Sequence, residues 1–159
     1  MFRTGFGFDV HRLKKKYPLF IGGVLIPSDK GAVGHSDADV LIHAICDALL
    51  GAASLKDIGY HFPDNSDEYK NIDSKILLNK VVELITINGY KIVNIDSTVC
   101  LETPKISSFI PEIIKVLANI LGIEQSQFSV KATTTEKLGY TGKRKGISAY
   151  AVALVKKIN

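Results

Sequence analysis

Asp9 and His11 stand two residues apart in GFGFDVHRL, an alternating stretch that a β-strand would turn to a single face. Phe6, Phe8 and Val10 fall on the opposite side, which the alternation assigns to the core. The Asp/His side otherwise carries only Gly5 and Gly7, leaving room beside the two side chains. A carboxylate beside an imidazole suits a divalent transition metal such as zinc, but zinc needs three or four ligands. Taken alone, the two are better explained as an exposed polar pair on the solvent face of a sheet.

A helix-like run beginning at Asp39, DVLIHAICDALLGAA, supplies the next candidates. It is apolar nearly all round, and Asp39, His43 and Asp47 recur every four residues as one stripe down one face. An unpaired carboxylate in such a helix would be costly. Either the three satisfy one another one turn apart, or His43 completes a metal site with Asp9 and His11. In the second case Asp39 or Asp47 would orient an imidazole from behind, and the fourth position stays open for substrate or water. Cys46 beside the stripe is an alternative ligand, although a buried cysteine is more often a small hydrophobe.

His35-Ser36 precedes this helix, and Ser36 with Asp39 resembles a capping box. Free N–H groups at a helix start attract phosphate, with His35 as an added donor. Further along, KATTTEKLGYTGK at Lys131–Lys143 offers hydroxyl and backbone donors at Thr133, Thr134 and Thr135. Glu136 there is a carboxylate suited to magnesium, and Lys143 is a positive charge.

These residues need elements to hold them. A strand is predicted over Phe2–Leu13, a β-like piece over Leu19–Ile26 broken at Gly22-Gly23, and a loop from Pro27 to Gly34. The first helix runs from Ser36 to about Leu50, and a long polar loop covers Asp57–Asp73. An amphipathic helix over Ser74–Asn88 ends at Gly89, and a strand follows over Ile92–Leu101. Then come a helix over Ser107–Leu121 stopped by Gly122, a strand over Phe128–Thr133, and a last strand over Gly146–Lys156. Strands and helices mix without a strict βαβ rhythm. The expected class is α+β, a mixed sheet with helices packed on one face.

The chain of 159 residues, 46% hydrophobic and 23% charged, is most economically one domain over 1–159. Its two cysteines make no disulfide framework, and no apolar run is long enough to span a bilayer. MFRTGFGFDV lacks a signal-peptide layout, so a cytoplasmic protein is expected, or a plastid one if a transit peptide has been removed. The balance of 20 basic against 16 acidic residues is scattered rather than gathered into an aromatic-laced stripe, which disfavours nucleic acid.

Four stretches in order, GFDVHRL, GHSDADVLIHAICDALLGA, DIGYHFPD and KATTTEKLGYTGK, resemble the 2-C-methyl-D-erythritol 2,4-cyclodiphosphate synthase family of the non-mevalonate isoprenoid pathway. ETPK at Glu102–Lys105 sits where that family has a Pro-Lys nucleotide-binding turn. The resemblance spans the chain and implies a homotrimer with active sites at subunit boundaries. It implies that Asp9, His11 and His43 hold zinc or another divalent transition metal, and that Glu136 holds magnesium or manganese. By the same resemblance, His35 and Thr134 steady the transition state, while Ser36, Asp57, Gly59, Phe62 and Asp64 meet the erythritol phosphate; Asp9, His11 and His35 also bind substrate. Cytidine would lie against Leu101, Thr103, Pro104, Lys105, Ile106 and Ser107 and against Ala132, Thr133, Thr134 and Thr135. Tyr140 and Lys143 complete the contacts; the family more often has Phe and Arg there, and a lysine cannot form arginine's bidentate fork. Phe8, Lys143 and Tyr150 would line a central channel, which in some members holds isoprenoid diphosphates and which in some has Glu in place of Tyr150. Two rivals remain: a zinc phosphohydrolase, which would release inorganic phosphate, and a non-catalytic trimer binding cytidine nucleotide or isoprenoid.

Overall fold

A computed structural model describes residues 1–158 except positions 64 and 66, and excepting the side chain at 68. The expected contact at Asp64 therefore lies outside the described residues. Among the described residues seven strands form, β1 (Phe2–Lys15), β2 (Leu19–Ile21), β3 (Val24–Ile26), β4 (Lys30–Val33), β5 (Tyr90–Cys100), β6 (Phe128–Thr133) and β7 (Gly146–Lys157). The helices are α1 (Val40–Ala53), α2 (Ile58–His61), α3 (Ser74–Ile87), α4 (Ile110–Leu121) and α5 (Gly139–Gly142). Five strands make one sheet in the order β4-β1-β7-β5-β6, and β2 pairs with β3 apart from it. Only β5 and β6 run parallel, so the sheet is mixed, as the α+β expectation required.

Helix α1 lies across β1, β7 and β5, and the register shows what it covers. Gly5, Ala153, Ile95 and Phe128 form one row of the covered face, Gly7, Ala151, Ser97 and Val130 the next, and Asp9, Ala149, Val99 and Ala132 the third. The space beside Asp9 and His11 that the glycines seemed to leave is therefore filled, by the backbone of α1. A Cβ on Gly7 would come 1.8 Å from the Ala44 carbonyl oxygen, and one on Gly5 would come 2.0 Å from that of Ala48. Small residues on both elements let helix and strand approach this closely, and the approach sets the height of α1 above Asp9.

The expectation for the other face of β1 is corrected accordingly. Phe6, Phe8 and Val10 are 64%, 42% and 44% exposed, and with Tyr150 and Val152 of β7 they make an apolar patch turned away from the helices. The alternation separates two faces correctly but does not say which of them α1 will choose.

Other departures are local. Lys30–Val33, expected within a loop, is an edge strand paired to Arg12–Lys15 of β1; its KGAV sequence carries no alternation to announce it. The polar stretch after Asp57 holds the short α2 and a 3-10 turn at Asp67–Tyr69. The helix expected from Ser107 begins as a 3-10 turn over Ser107–Phe109 and becomes α-helical at Ile110. Gly22 and Gly23, both with positive φ, make the β2–β3 turn, where such backbone favours glycine. No helix among the described residues is long and apolar enough to cross a membrane.

Candidate metal centre and substrate clefts

Asp9 and His11 project from β1 toward α1, where His43 meets them. Asp9 Oδ2 lies 2.9 Å from His11 Nε2 and 3.0 Å from His43 Nδ1, and the two imidazole nitrogens are 3.1 Å apart. Ligands on one tetrahedral zinc, bonded at about 2.0–2.1 Å, stand about 3.3 Å from one another. A triangle of one carboxylate oxygen and two imidazole nitrogens at this spacing fits a single divalent ion with a position left over. All three side chains are half-buried.

Without an ion the three groups hold one another. Burial alone would raise the Asp9 carboxyl, but its hydrogen bonds with His11 and His43 prevail and hold it down at about 2. Burial would lower His11, yet Asp9 and the Val33 carbonyl together raise it. Val33 O lies 3.2 Å from His11 Nδ1, and a carbonyl only accepts, so Nδ1 carries a proton; Nε2 faces Asp9, donating to its carboxylate while no ion is bound and giving its lone pair to an ion that displaces that proton.

The stripe on α1 divides differently from either expected scheme. Neither Asp39 nor Asp47 touches an imidazole through a described hydrogen bond. Asp39 is fully buried and accepts from Gly22 N at 2.9 Å, Gly23 N at 2.7 Å and Ile42 N at 3.1 Å. It, and not Ser36, caps α1. The cause is Ala38, whose positive φ delays helix entry to Val40. Val40, Leu41 and Ile42 are buried, so the start of α1 is closed to phosphate. Asp47 instead accepts from Ile58 N at 2.8 Å and ties α2 to α1. His43 Nε2 finds Ser74 Oγ at 2.9 Å and Ser36 Oγ at 3.1 Å. Ser74 was missed because a serine opening a helix reads as local capping. Cys46 is wholly buried and lies outside the cluster of possible ligands, and burial pushes its thiol well up.

A cleft of about 390 Å³ opens at the metal triangle, lined by His11, His43, His35, Ser36, Gly59 and Phe62, with Gly34, Ile58, Tyr69, Ile72 and Leu77. Asp57 caps α2 at its mouth, accepting from Gly59 N at 3.1 Å. The structure thus gathers the residues expected near the erythritol phosphate, save the undescribed Asp64.

A second cleft of about 390 Å³ is lined by Leu101, Pro104, Lys105, Ile106 and Ser107 from one side and by Ala132, Thr133 and Thr134 from the other, with Glu102. The parallel pairing of β5 with β6 brings these segments together, opposing Cys100 to Thr133. Thr135 N donates to Glu102 Oε2 at 3.4 Å, closing one wall. Thr103 lies in the same turn without lining the cleft. Glu136 is exposed just beyond it, its N–H donating to Thr134 Oγ1 at 3.3 Å. A lone exposed carboxylate fits a magnesium ion that brings phosphate oxygens with it, rather than a closed protein cage. The two clefts share no lining residue. Tyr140 lines a third, basic cavity with Arg12, Lys30, Arg144 and Lys145, while Lys143 is exposed on the turn after α5.

The sequence model of the YgbB family matches residues 2–156. The 2-C-methyl-D-erythritol 2,4-cyclodiphosphate synthase of Bacteroides fragilis is 61% identical over 98% of this chain and 98% of its own length. That of Porphyromonas gingivalis is 62% identical over 97% of this chain and 95% of its own. Among solved structures, the bifunctional IspDF of Campylobacter jejuni matches with a TM-score of 0.96 and 38% identity; this chain is covered completely but spans only 43% of that longer one. A synthase of the same name solved with CDP matches with a TM-score of 0.90 and 33% identity, over 97% of this chain and 100% of the other. With a family model, curated relatives and solved structures all matched along nearly its whole length, the chain belongs to the YgbB family.

Proposed function

We propose that this protein converts 4-diphosphocytidyl-2-C-methyl-D-erythritol 2-phosphate to 2-C-methyl-D-erythritol 2,4-cyclodiphosphate and CMP, in the non-mevalonate isoprenoid pathway. The observation that carries the proposal is the Asp9–His11–His43 triangle opening on the His35–Ser36 cleft, in a chain 61% identical to a synthase of that name. The nucleophile is the substrate's own 2-phosphate. Its oxygen bonds to the β-phosphorus, the bond from that phosphorus to the bridging oxygen breaks, and CMP leaves with the bridging oxygen and the electron pair. No serine or cysteine nucleophile is needed, and the chain must position the reacting groups in line and neutralise charge.

His35, Ser36 and the α2 start at Asp57 and Gly59 hold the erythritol phosphate in the first cleft. Leu101–Ser107 and Ala132–Thr135 hold cytidine in the second, with Thr134 facing the diphosphate beside Glu136. An ion held by Asp9, His11 and His43, zinc or another divalent transition metal, and a magnesium or manganese ion on Glu136 would supply positive charge at the diphosphate oxygens.

One substrate must reach both clefts, and a site assembled between copies of the chain accounts for their separation. The exposed Phe6, Phe8, Val10, Tyr150 and Val152 patch supports the same conclusion, since an apolar face of this kind marks an interface. The assembly proposed is the homotrimer. Phosphorus NMR of purified protein with the cytidyl substrate, zinc and magnesium tests the reaction. Equal amounts of CMP and a cyclic diphosphate are expected. A linear phosphate product would make the protein a hydrolase, and bound metals without turnover would make it a binding protein.

A further inference from the structure

We infer that Ser74 and Asp37 form a hydrogen-bonded relay that fixes the tautomer of His43 and so tunes its strength as a metal ligand; the inference rests on the metal-site proposal above. Ser74 is completely buried at the first turn of α3, thirty-one residues from His43. Its hydroxyl donates to Asp37 Oδ1. The Asp37 carboxylate also accepts from Ser74 N at 2.9 Å and from Asp39 N at 3.1 Å, so each described hydrogen bond to its oxygens is one that it accepts. An ionised carboxylate cannot donate, and a hydroxyl has one proton. With that proton committed to Asp37, Ser74 Oγ can only accept from His43 Nε2, 2.9 Å away. Nε2 therefore carries a ring hydrogen, and Nδ1, 3.0 Å from Asp9 Oδ2, is the nitrogen left to give its lone pair to an ion bound between Asp9, His11 and His43. Ser36 Oγ, already accepting from Ala38 N, is placed as a second acceptor for the same hydrogen at 3.1 Å.

The order is Asp37 carboxylate, Ser74 hydroxyl, His43 imidazole, ion. A carboxylate behind a ligating histidine fixes the ring and raises its basicity; here a serine is interposed. His11 takes its equivalent fixation from the Val33 carbonyl, so the two imidazoles differ in that only His43 is backed by a charge. Ser74 and Asp37 are positioning residues, since they touch the ligand and not the substrate.

Nitrogen-15 NMR of the zinc-loaded wild type reads the tautomer directly: a protonated Nε2 and a Nδ1 without hydrogen are expected at His43. Zinc affinity is then measured by chelator competition for wild type, Ser74→Ala, Asp37→Asn and His43→Ala. Removing an outer partner weakens metal binding by roughly 10–100-fold, and both relay variants should fall in that range. In Asp37→Asn an N–H₂ group replaces one acceptor, so some His43 should appear with Nδ1 protonated. A wild-type His43 protonated at Nδ1, or relay variants that fold and bind zinc within twofold of wild type, would overturn the relay. Wild-type protein binding zinc no better than His43→Ala would instead overturn the metal site itself.

Discussion

Gly7→Ala tests the idea that the glycine face of β1 exists to set the distance between strand and ligand-bearing helix. The new Cβ would stand 1.8 Å from the Ala44 carbonyl oxygen and 2.7 Å from Ala48 N. Both are backbone atoms, so no side chain can swing aside. Ordinary contact requires strand and helix to part by roughly 1.5 Å or more along that line. His43 neighbours Ala44 on the same helix, while Asp9 and His11 ride on the strand. A separation of that size takes Asp9 Oδ2 and His43 Nδ1 from 3.0 Å to about 4.5 Å, too far for both to bind one zinc at about 2.0–2.1 Å in tetrahedral geometry. Overpacking of a tight contact costs roughly 1–3 kcal/mol, and an unyielding backbone puts this case near the top, a Tm loss of about 6–12 °C at this chain length. The assay pairs thermal unfolding with zinc affinity. Gly51→Ala is the control, on the same helix but with its nearest atom 4.0 Å away, and should keep full zinc affinity while gaining about 0.5–1 kcal/mol. If Gly7→Ala bound zinc within tenfold of wild type at normal stability, the spacing argument would be refuted.

Four other outcomes are expected. His43→Ala should lose zinc and turnover while Cys46→Ala keeps both, as zinc analysis and the CMP assay would report; zinc loss from the cysteine variant would mean the wrong ligand was chosen on α1. Glu136→Ala should retain zinc but respond weakly to added magnesium, and an unchanged magnesium titration would remove Glu136 from the site. Phe8→Glu should shift the protein to a smaller species in sedimentation, and an unaltered mass would exclude the β1 face from the interface. Burial raises the Cys46 thiol well above its ordinary 9.0, so folding favours the protonated form. Its contribution to stability is complete below pH 9 and is lost as pH climbs from there toward the folded value. The urea midpoint of wild type should therefore fall more steeply above pH 9 than that of Cys46→Ala, and parallel curves would contradict the assigned burial.

Much of the site was legible because its signals are short in range. Alternation put Asp9 and His11 on one side of a strand, and the four-residue stripe put His43 on one side of a helix. Gly89 and Gly122, both with positive φ, end α3 and α4 where the sequence reading stops them. What stayed hidden depends on chain segments far apart. Asp39 looked like a partner for His43 one turn away, but its carboxylate is drawn to the N–H groups of Gly22 and Gly23, and that turn's approach has no local signature. The true neighbour of His43 Nε2 comes from α3, and a serine at a helix start announces only a cap.

The orientation of β1 is the most instructive failure. Glycines beside two candidate ligands looked like space for a ligand, yet a residue without Cβ equally admits another backbone, and α1 takes that place. The phenylalanines, judged by polarity alone, should have been inside. Both judgements used the right pattern and assumed that one chain must satisfy it. If copies of the chain pack through Phe6, Phe8 and Val10, the apolar side of β1 is buried after all. The metal cleft on one copy can then meet the cytidine cleft on another. One strand would then hold the candidate metal ligands toward α1 and the interface on its reverse, which makes assembly and metal binding separable by mutation: Phe8→Glu should leave zinc affinity intact while abolishing turnover.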